Sequence, residues 1–397
     1  MKSRGDDVRS AGPPQASTAP SGGSAVREAT SVGAITKCAL IMAGGTGGHI
    51  FPGLAVAEAL RERGWRVHWL GGLGSAEHPS MESQLVPPRG FPFESIAFSG
   101  VRGKGPVTLA LLPMRLLNAF WQSIQVIRRV KPDVVVGLGG YISFPAGMMS
   151  VLLGKPLVLH EQNSVAGLVN KVLASVADRV FTAFPAVLKN AEWIGNPLRP
   201  AFTQQAGPAE RFAGRSGPLK LLVVGGSLGA KALNDLVPQA LALMPEAMRP
   251  QVTHQSGARQ LDALSASYRT AGVQATLTPF IDDTARAFAD ADLVICRAGA
   301  STVTELAAVG AAALFVPFPS AVDDHQTRNA QFLINNGAGW LVAQCDLTAV
   351  KLADMLQKTE RKTLVLHGIQ AKKMQKIEAT ARMVAACEAL VTEDKGT

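Results

Sequence analysis

Short apolar runs rich in β-branched residues recur along the chain, each followed by a helical pattern, and this alternation confines the fold. The runs are Cys38–Ala43, Arg66–Leu70, Val134–Gly137, Leu157–Leu159 and Arg179–Thr182. Strands separated by helices do not pair as tight hairpins, so the expected product is a doubly wound parallel sheet, an α/β fold with helices on both faces. After Gly195-Asn196-Pro197-Leu198-Arg199-Pro200 a turn-rich segment reaches Pro218, and Leu219-Lys220-Leu221-Leu222-Val223-Val224 starts the pattern again. The first half opens with an apolar run into Gly44-Gly45-Thr46-Gly47-Gly48-His49, and the second with a run into Gly225-Gly226-Ser227-Leu228-Gly229-Ala230, about 180 residues later.

A Gly-rich turn between a strand and a helix lets backbone approach a ligand closely, and the first N–H groups of the helix attract an anion. Ligands of open α/β sheets sit beyond the carboxyl ends of the strands. Two such halves facing each other would therefore line one cleft with Gly-rich turns from both sides, a natural place for two substrates to meet.

At 397 residues and 47% hydrophobic the chain can bury two cores. Cys38, Cys296, Cys345 and Cys387 are scattered without a CxxC pair, so no zinc site or disulfide framework is indicated and a reducing cytoplasm is expected. Residues 1–36 are rich in Ser, Gly, Ala and Pro and lack the apolar core of a signal peptide, and a disordered extension is expected. Val134–Gly154 has the length to span a membrane, but its glycines and Pro145 favour a buried strand, a turn and a helix. The net charge of +9 and pI near 9.6 call for an anionic partner. With 6% aromatic residues and no basic run interleaved with aromatics, nucleic acid is not that partner.

Neither Gly-rich turn matches a familiar nucleotide signature. Ile50 stands where the third glycine of GxGxxG belongs, and Gly71-Gly72 follow the next strand where a dinucleotide site has a carboxylate. In the second turn Lys231 is followed by Ala232, which offers no hydroxyl for magnesium. Asp290-Ala291-Asp292 has metal-binding spacing, yet paired acids between a helix and the strand Leu293–Cys296 are better read as turn chemistry. Asp323-Asp324-His325 reads as a polar loop, so no metal site is assigned.

More specific is Arg297-Ala298-Gly299-Ala300-Ser301-Thr302-Val303-Thr304-Glu305, which leaves a strand and enters a helix. N–H groups near Ser301 and Thr302 can hold phosphate oxygens without a metal, and Glu305 can accept from both hydroxyls of a ribose. The competing reading is a helix cap with Glu305 closing a capping box. Downstream, Gln326 and Asn329 are amides suited to sugar hydroxyls, with capping and solvation as the alternative. In the first half His160-Glu161-Gln162-Asn163 sits where a strand leaves its sheet, a catalytic or sugar-binding constellation. His49 titrates near neutrality on the first Gly-rich turn and is the favoured general base, with Glu161 the alternative.

The stretch 101–132 carries Arg102, Lys104, Arg115, Arg128, Arg129 and Lys131 and no acid. These surround apolar residues that include Leu109, Leu111, Leu112, Leu116 and Trp121. Basic groups flanking an exposed apolar patch suit an anionic membrane surface.

Together, Gly44–His49 with Phe51-Pro52-Gly53, Gly139-Gly140-Tyr141, His160–Asn163, Gly195-Asn196-Pro197 with Arg199, Gly225–Ser227 and Cys296–Glu305 resemble the MurG family. These are peptidoglycan N-acetylglucosaminyltransferases of glycosyltransferase family 28. The resemblance runs from about Lys37 to the C-terminal region. It implies a GT-B fold with an acceptor domain over 37–199, rejoined by a helix over 378–397, and a nucleotide-sugar domain over 200–377. It implies inverting transfer from UDP-N-acetylglucosamine to the C4 hydroxyl of an undecaprenyl-diphosphate-linked muramyl-pentapeptide, with no cofactor. The place of work would be the cytoplasmic face of the inner membrane, beside other cell-wall synthesis or division proteins. Carried over residue by residue, Ser227, Ala300, Ser301, Thr302, Val303 and Thr304 would lie at the diphosphate or its sugar, Ile281 at uracil, Glu305 at ribose and Gln326 at the sugar hydroxyls. From the opposite side come Thr46, Gly47, Gly48, Asn163 and Arg199. His325 beside Gln326, and Ser301 itself, depart from the pattern of some members. A nucleotide-sugar epimerase of the same fold and a noncatalytic membrane scaffold are the rival readings.

Overall fold

A computed structural model describes residues 36–75, 78–98, 100, 110–226 and 229–393. The expected N-terminal extension, apart from its last residue, lies outside the described residues, as do Arg102, Lys104, Leu109 and Ser227. The remainder forms one compact unit holding two parallel sheets.

In the first half, β1 (Cys38–Met42), β2 (Arg66–Gly71), β3 (Phe93–Ser95), β4 (Val134–Gly137), β5 (Leu157–Glu161), β6 (Arg179–Thr182) and β7 (Glu192–Trp193) lie in the order β3-β2-β1-β4-β5-β6-β7. In the second, β8 (Lys220–Val224), β9 (Gln251–Gln255), β10 (Thr276–Thr278), β11 (Leu293–Cys296), β12 (Ala313–Phe315) and β13 (Gly339–Leu341) lie in the order β10-β9-β8-β11-β12-β13. Every pairing between these strands is parallel, and β1 lies between β2 and β4 as β8 lies between β9 and β11, for example Ile41 opposite Trp69 and Val136. In each half the strand order therefore reverses beside the first strand, which is where a ligand crevice opens.

The central strands β1 and β4 are apolar throughout because helices cover both faces. One face of the first sheet packs with the helix Gly47–Glu62 and the last helix, Ala379–Glu393, whose Met383, Val384, Cys387 and Leu390 join Ile41, Leu54 and Trp69 in one core. The other face packs with Leu112–Val130 and Ser143–Leu152. The Val134–Gly154 stretch thus forms β4, a glycine turn and a helix. No helix among the described residues is long and apolar enough to cross a membrane.

The chain passes between the halves twice, after β7 and again near Met374–Glu378, and the passages touch. Gly195 has φ +87°, and a Cβ there would lie 2.3 Å from the Lys376 Cβ.

Asp292 shows what the D-x-D spacing does. Its buried carboxylate accepts from Arg215 Nη1 (2.7 Å), the Lys220 N–H (2.9 Å) and Arg361 Nη2 (3.1 Å), fastening the segment before β8 and a late helix to the start of β11. Burial pushes its carboxyl pKa up, but the Lys220 N–H and the two guanidinium groups outweigh that and hold it below the ordinary value. The group therefore stabilises the fold above the unfolded carboxylate pKa, and the effect is lost as pH falls through the lower folded value. Asp292→Ala should cost about 3 kcal/mol in urea denaturation at pH 7, because it strands two partly buried cations. The gap from wild type should narrow towards pH 3, and a pH-independent gap would contradict this account.

Candidate functional site

The first Gly-rich turn is shaped by backbone contacts that only glycine permits. Gly140, with φ +89°, lies so close to the turn that a Cβ would come within 2.6 Å of the Gly44 carbonyl oxygen. Thr46 is the N-cap of the Gly47–Glu62 helix, and its side chain makes no capping bond. That leaves the N–H groups of Gly47 and Gly48 at a helix N-terminus without a side-chain cap.

His49, half-buried on the first helical turn, has Nδ1 3.1 Å from the Gly44 carbonyl oxygen. A carbonyl only accepts, so Nδ1 carries the proton and Nε2 presents its lone pair. Burial lowers the imidazole pKa, an effect opposed by the charges of Glu161 and Glu82 and by the Gly44 contact. His49 is thus neutral at pH 7 with a basic nitrogen near the carboxyl edge of the sheet.

Glu161 is placed differently from the loop expected of it. β5 continues through His160 and Glu161, and both side chains are buried. Glu161 Oε1 accepts from the Asn163 N–H (2.9 Å) and Nδ2 (3.4 Å), and Oε2 from the Gly167 N–H (3.2 Å) and Asn170 Nδ2 (2.8 Å). Its four lone-pair directions are taken, so it is a fixed charge beside His49 rather than a vacant proton acceptor. His160 is likewise structural. Its Nε2–H donates to the Gly195 carbonyl (2.9 Å), Gln162 Nε2 donates to its Nδ1 (3.1 Å), and burial pushes its pKa down to about 4.

In the second half the helix Ala300–Val309 begins beyond β11 with Gly299 as N-cap and no side-chain cap, and its first turn contains no acid. The capping-box reading of Ser301, Thr302 and Glu305 therefore fails: Ser301 Oγ is buried without a hydrogen-bond partner among the described residues. Two expected contacts change role. Val303 is fully buried in the core, and Thr304 donates its hydroxyl to the Ala300 and Ser301 carbonyls (both 3.0 Å) while accepting from Asn196. Their side chains hold the helix in place and offer nothing to a ligand.

Glu305, one turn into this helix, has its carboxyl raised to about 7 by burial, a shift the Arg199 charge opposes. Arg199 lies over the rings of Phe51 from the first half (5.6 Å) and Phe202 (5.0 Å). Ile281 is half-buried in the loop after β10. Gln326 Oε1 accepts from the N–H groups of Phe318 (2.9 Å) and Ala298 (3.3 Å), so the groups its amide has left to offer are N–H donors.

Asn329 corrects the sequence reading. It is fully buried, with Oδ1 accepting from the Ser164 N–H (2.8 Å) and hydroxyl (2.7 Å) and Nδ2 directed to the Ala298 carbonyl (3.2 Å) and Asn163 Oδ1 (3.4 Å). No capacity remains for a sugar hydroxyl.

Two residues that sequence reasoning missed brace the Gly-rich turns. Buried Glu82 accepts the N–H groups of Gly45 (3.2 Å) and Gly72 (3.1 Å). Gln255, ending β9, accepts those of Gly225 (3.1 Å) and Gly226 (3.2 Å) and donates to Pro279 O (2.9 Å), tying the second turn to the loop that carries Ile281. Neither stands in a recognisable motif; only the folded neighbourhood reveals them.

On the first half's outer face, the helix Leu112–Val130 exposes Met114 (70%), Leu117 (68%) and Trp121 (57%), with Leu111 exposed just before it and Arg115 on the same stretch. Leu112 and Leu116, expected in the patch, are half-buried instead, and Met114 and Leu117 take their place. The steps of three, three and four residues between 111, 114, 117 and 121 follow one helix face. Arg129 is drawn into an ion pair with Glu94.

The glycosyltransferase family 28 N-terminal domain model matches residues 39–182, and the family's C-terminal domain model matches 220–386. A protein of Polaromonas sp. (strain JS666 / ATCC BAA-500) is 80% identical over 385 residues, 97% of this chain and 99% of that one. It is named UDP-N-acetylglucosamine--N-acetylmuramyl-(pentapeptide) pyrophosphoryl-undecaprenol N-acetylglucosamine transferase. A protein of the same name from Polaromonas naphthalenivorans (strain CJ2) is 82% identical over 354 residues, 89% of this chain and 98% of that one. Among solved structures, MurG of Acinetobacter baumannii superposes with a TM-score of 0.76 at 38% identity, covering 89% of this chain and 99% of that one.

Glu305 gives the site a measurable signature. Its raised pKa means that the native state holds a proton which the unfolded chain releases, so stability falls as pH rises from the ordinary 4.5 to about 7. Glu305→Gln should therefore melt above wild type at pH 8 and level with it near pH 4, and equal melting temperatures at both pH values would refute the burial effect.

Proposed function

The chain belongs to glycosyltransferase family 28, and on that premise we propose that it transfers N-acetylglucosamine from UDP-N-acetylglucosamine to the C4 hydroxyl of the muramyl sugar in undecaprenyl-diphospho-muramyl-pentapeptide. This is a step of peptidoglycan synthesis. The observation that carries the reading is the uncapped start of the Ala300–Val309 helix, with a buried Ser301 hydroxyl that has no partner among the described residues, in a chain 80% identical to a transferase of that name. A recruiting scaffold would need neither an anion site nor a base, and an epimerase, which would use both, is set apart from a transferase by the 80% identity to a protein of that name.

Transfer is a single displacement. The acceptor oxygen bonds to the anomeric carbon as the bond from that carbon to the β-phosphate oxygen breaks, and the electron pair leaves with UDP. The hydroxyl proton passes to His49 Nε2, whose tautomer the Gly44 carbonyl selects. The fixed Glu161 charge favours the imidazolium so formed. Negative charge growing on UDP is met by the helix N-terminus at Ala300–Thr302, by Ser301 Oγ and by Arg199. Ile281 lies against uracil, ionised Glu305 accepts from the ribose hydroxyls, and the Gln326 amide donates to the sugar. The N–H groups of Gly47 and Gly48, beside Thr46 and Asn163, hold the acceptor's diphosphate.

The acceptor's lipid tail requires a membrane. We assign attachment at the cytoplasmic face to Leu111, Met114, Leu117 and Trp121, whose rings and chains enter the interface while Arg115 meets anionic headgroups.

Incubation with labelled UDP-N-acetylglucosamine and a short-chain lipid acceptor should give the disaccharide lipid. Epimerised nucleotide sugar, or neither product, would overturn the transferase reading. His49→Ala should lower kcat by about 10²–10⁴. Because burial depresses its pKa, the acid limb of wild-type kcat should fall below the ordinary 6.5, and unchanged turnover in the variant would remove His49 as base. In a separate flotation experiment, Trp121→Glu should release the protein from vesicles containing anionic lipid; retention equal to wild type would remove this helix from the membrane contact.

A further inference from the structure

Asn329 is a point at which the two halves are joined by several hydrogen bonds through one fully buried side chain. It stands on the helix His325–Ile334 of the second half, three residues after Gln326. All four of its hydrogen-bonding positions are used, and three of the four bonds reach or serve the other half. Oδ1 takes both the N–H and the hydroxyl of Ser164, and Nδ2 reaches Asn163 Oδ1. The fourth bond, to the Ala298 carbonyl, fixes the side chain to the loop that opens the Ala300–Val309 helix.

On the first-half side the same loop continues the chain of bonds. Asn163 donates through its N–H and its side chain to Glu161, which also takes Asn170 and the Gly167 N–H. An uninterrupted polar path therefore runs from the start of the second half's anion-binding helix, through Asn329, to the carboxylate beside His49. A buried amide with one arrangement of donors and acceptors fixes register more narrowly than apolar packing does, since a shift leaves polar groups unpaired.

We propose that Asn329 is a positioning residue that locks the Gln162–Ser164 loop against the Ala298–Ala300 turn, and so sets the acceptor-side base at its working distance from the donor. The inference rests on the transferase reading for its catalytic consequence, while the lock itself is read without any reaction.

Three variants test it. Asn329→Asp keeps the acceptor for Ser164 but turns an acceptor towards Ala298 O and Asn163 Oδ1. Asn329→Ala removes every bond. Ser164→Ala, at a half-buried position that tolerates a small side chain, removes only the hydroxyl, which donates to Asn329 Oδ1 and lies 3.5 Å from the His325 carbonyl. At saturating substrates, kcat should fall about 10- to 100-fold in both Asn329 variants and a few-fold in Ser164→Ala. UDP affinity, measured without acceptor, should change less than about 3-fold. Ser164→Ala added to Asn329→Ala should cost nothing further.

Hydrogen exchange at the Ser164 amide, protected in wild type, should accelerate in Asn329→Ala, whether or not the protein transfers sugar. Unchanged exchange overturns the lock. Accelerated exchange with full kcat overturns its role in positioning, and a parallel loss of UDP affinity assigns Asn329 to the donor site instead. If Asn329→Ala does not fold, Ser164→Ala decides: kcat equal to wild type overturns the proposal. Absence of transfer by wild type, with the exchange pattern intact, sinks the transferase reading and leaves the lock standing.

Discussion

The backbone N–H group at a strand-to-helix turn is the interaction on which this protein depends. In a parallel sheet every strand delivers its following helix at the same edge, so unpaired N–H groups and helix dipoles accumulate there instead of cancelling. Both halves carry such an edge, and at two helix starts there, Thr46 and Gly299, the N-cap residue makes no side-chain bond to those donors. A pull on anions at that edge is thus a property of the fold, and glycine at the turns leaves it open.

Turns this open need support from elsewhere. Glu82 and Gln255 occupy comparable places in the two halves and do comparable work: each is buried, and each takes two turn N–H groups on one side chain. The difference in chemistry is instructive. A carboxylate braces the first turn and adds negative charge near His49, whereas a neutral amide braces the second.

Much of this was legible beforehand, for reasons that particular residues make plain. β1, β4 and, after Lys220, β8 are apolar runs that lead into glycine turns, and such runs fit the centre of a parallel sheet. The edge strands β3, β7, β10 and β13 span two or three half-exposed residues each, too few to show a period. At the site, glycines and helix starts carry local signatures, so the two turns could be found. Asn329, His160 and Glu161 could not be assigned, because a side chain's polarity does not say whether it meets a ligand or another buried polar group. Thr304 was misjudged for the same reason: its hydroxyl is taken by its own helix, a choice decided by packing against Asn196 from the other half.

The last helix, Ala379–Glu393, supplies Met383, Val384, Cys387 and Leu390 to a core whose other members begin at Ala39. A ribosome therefore makes the whole second half before the first sheet can be fully covered on that face. The later half can close on itself while the earlier one still waits, so order of synthesis and order of completion run in opposite directions. Until the helix Ala379–Glu393 emerges, the apolar side of β1 and the Gly47–Glu62 helix is a surface in need of protection from other nascent chains.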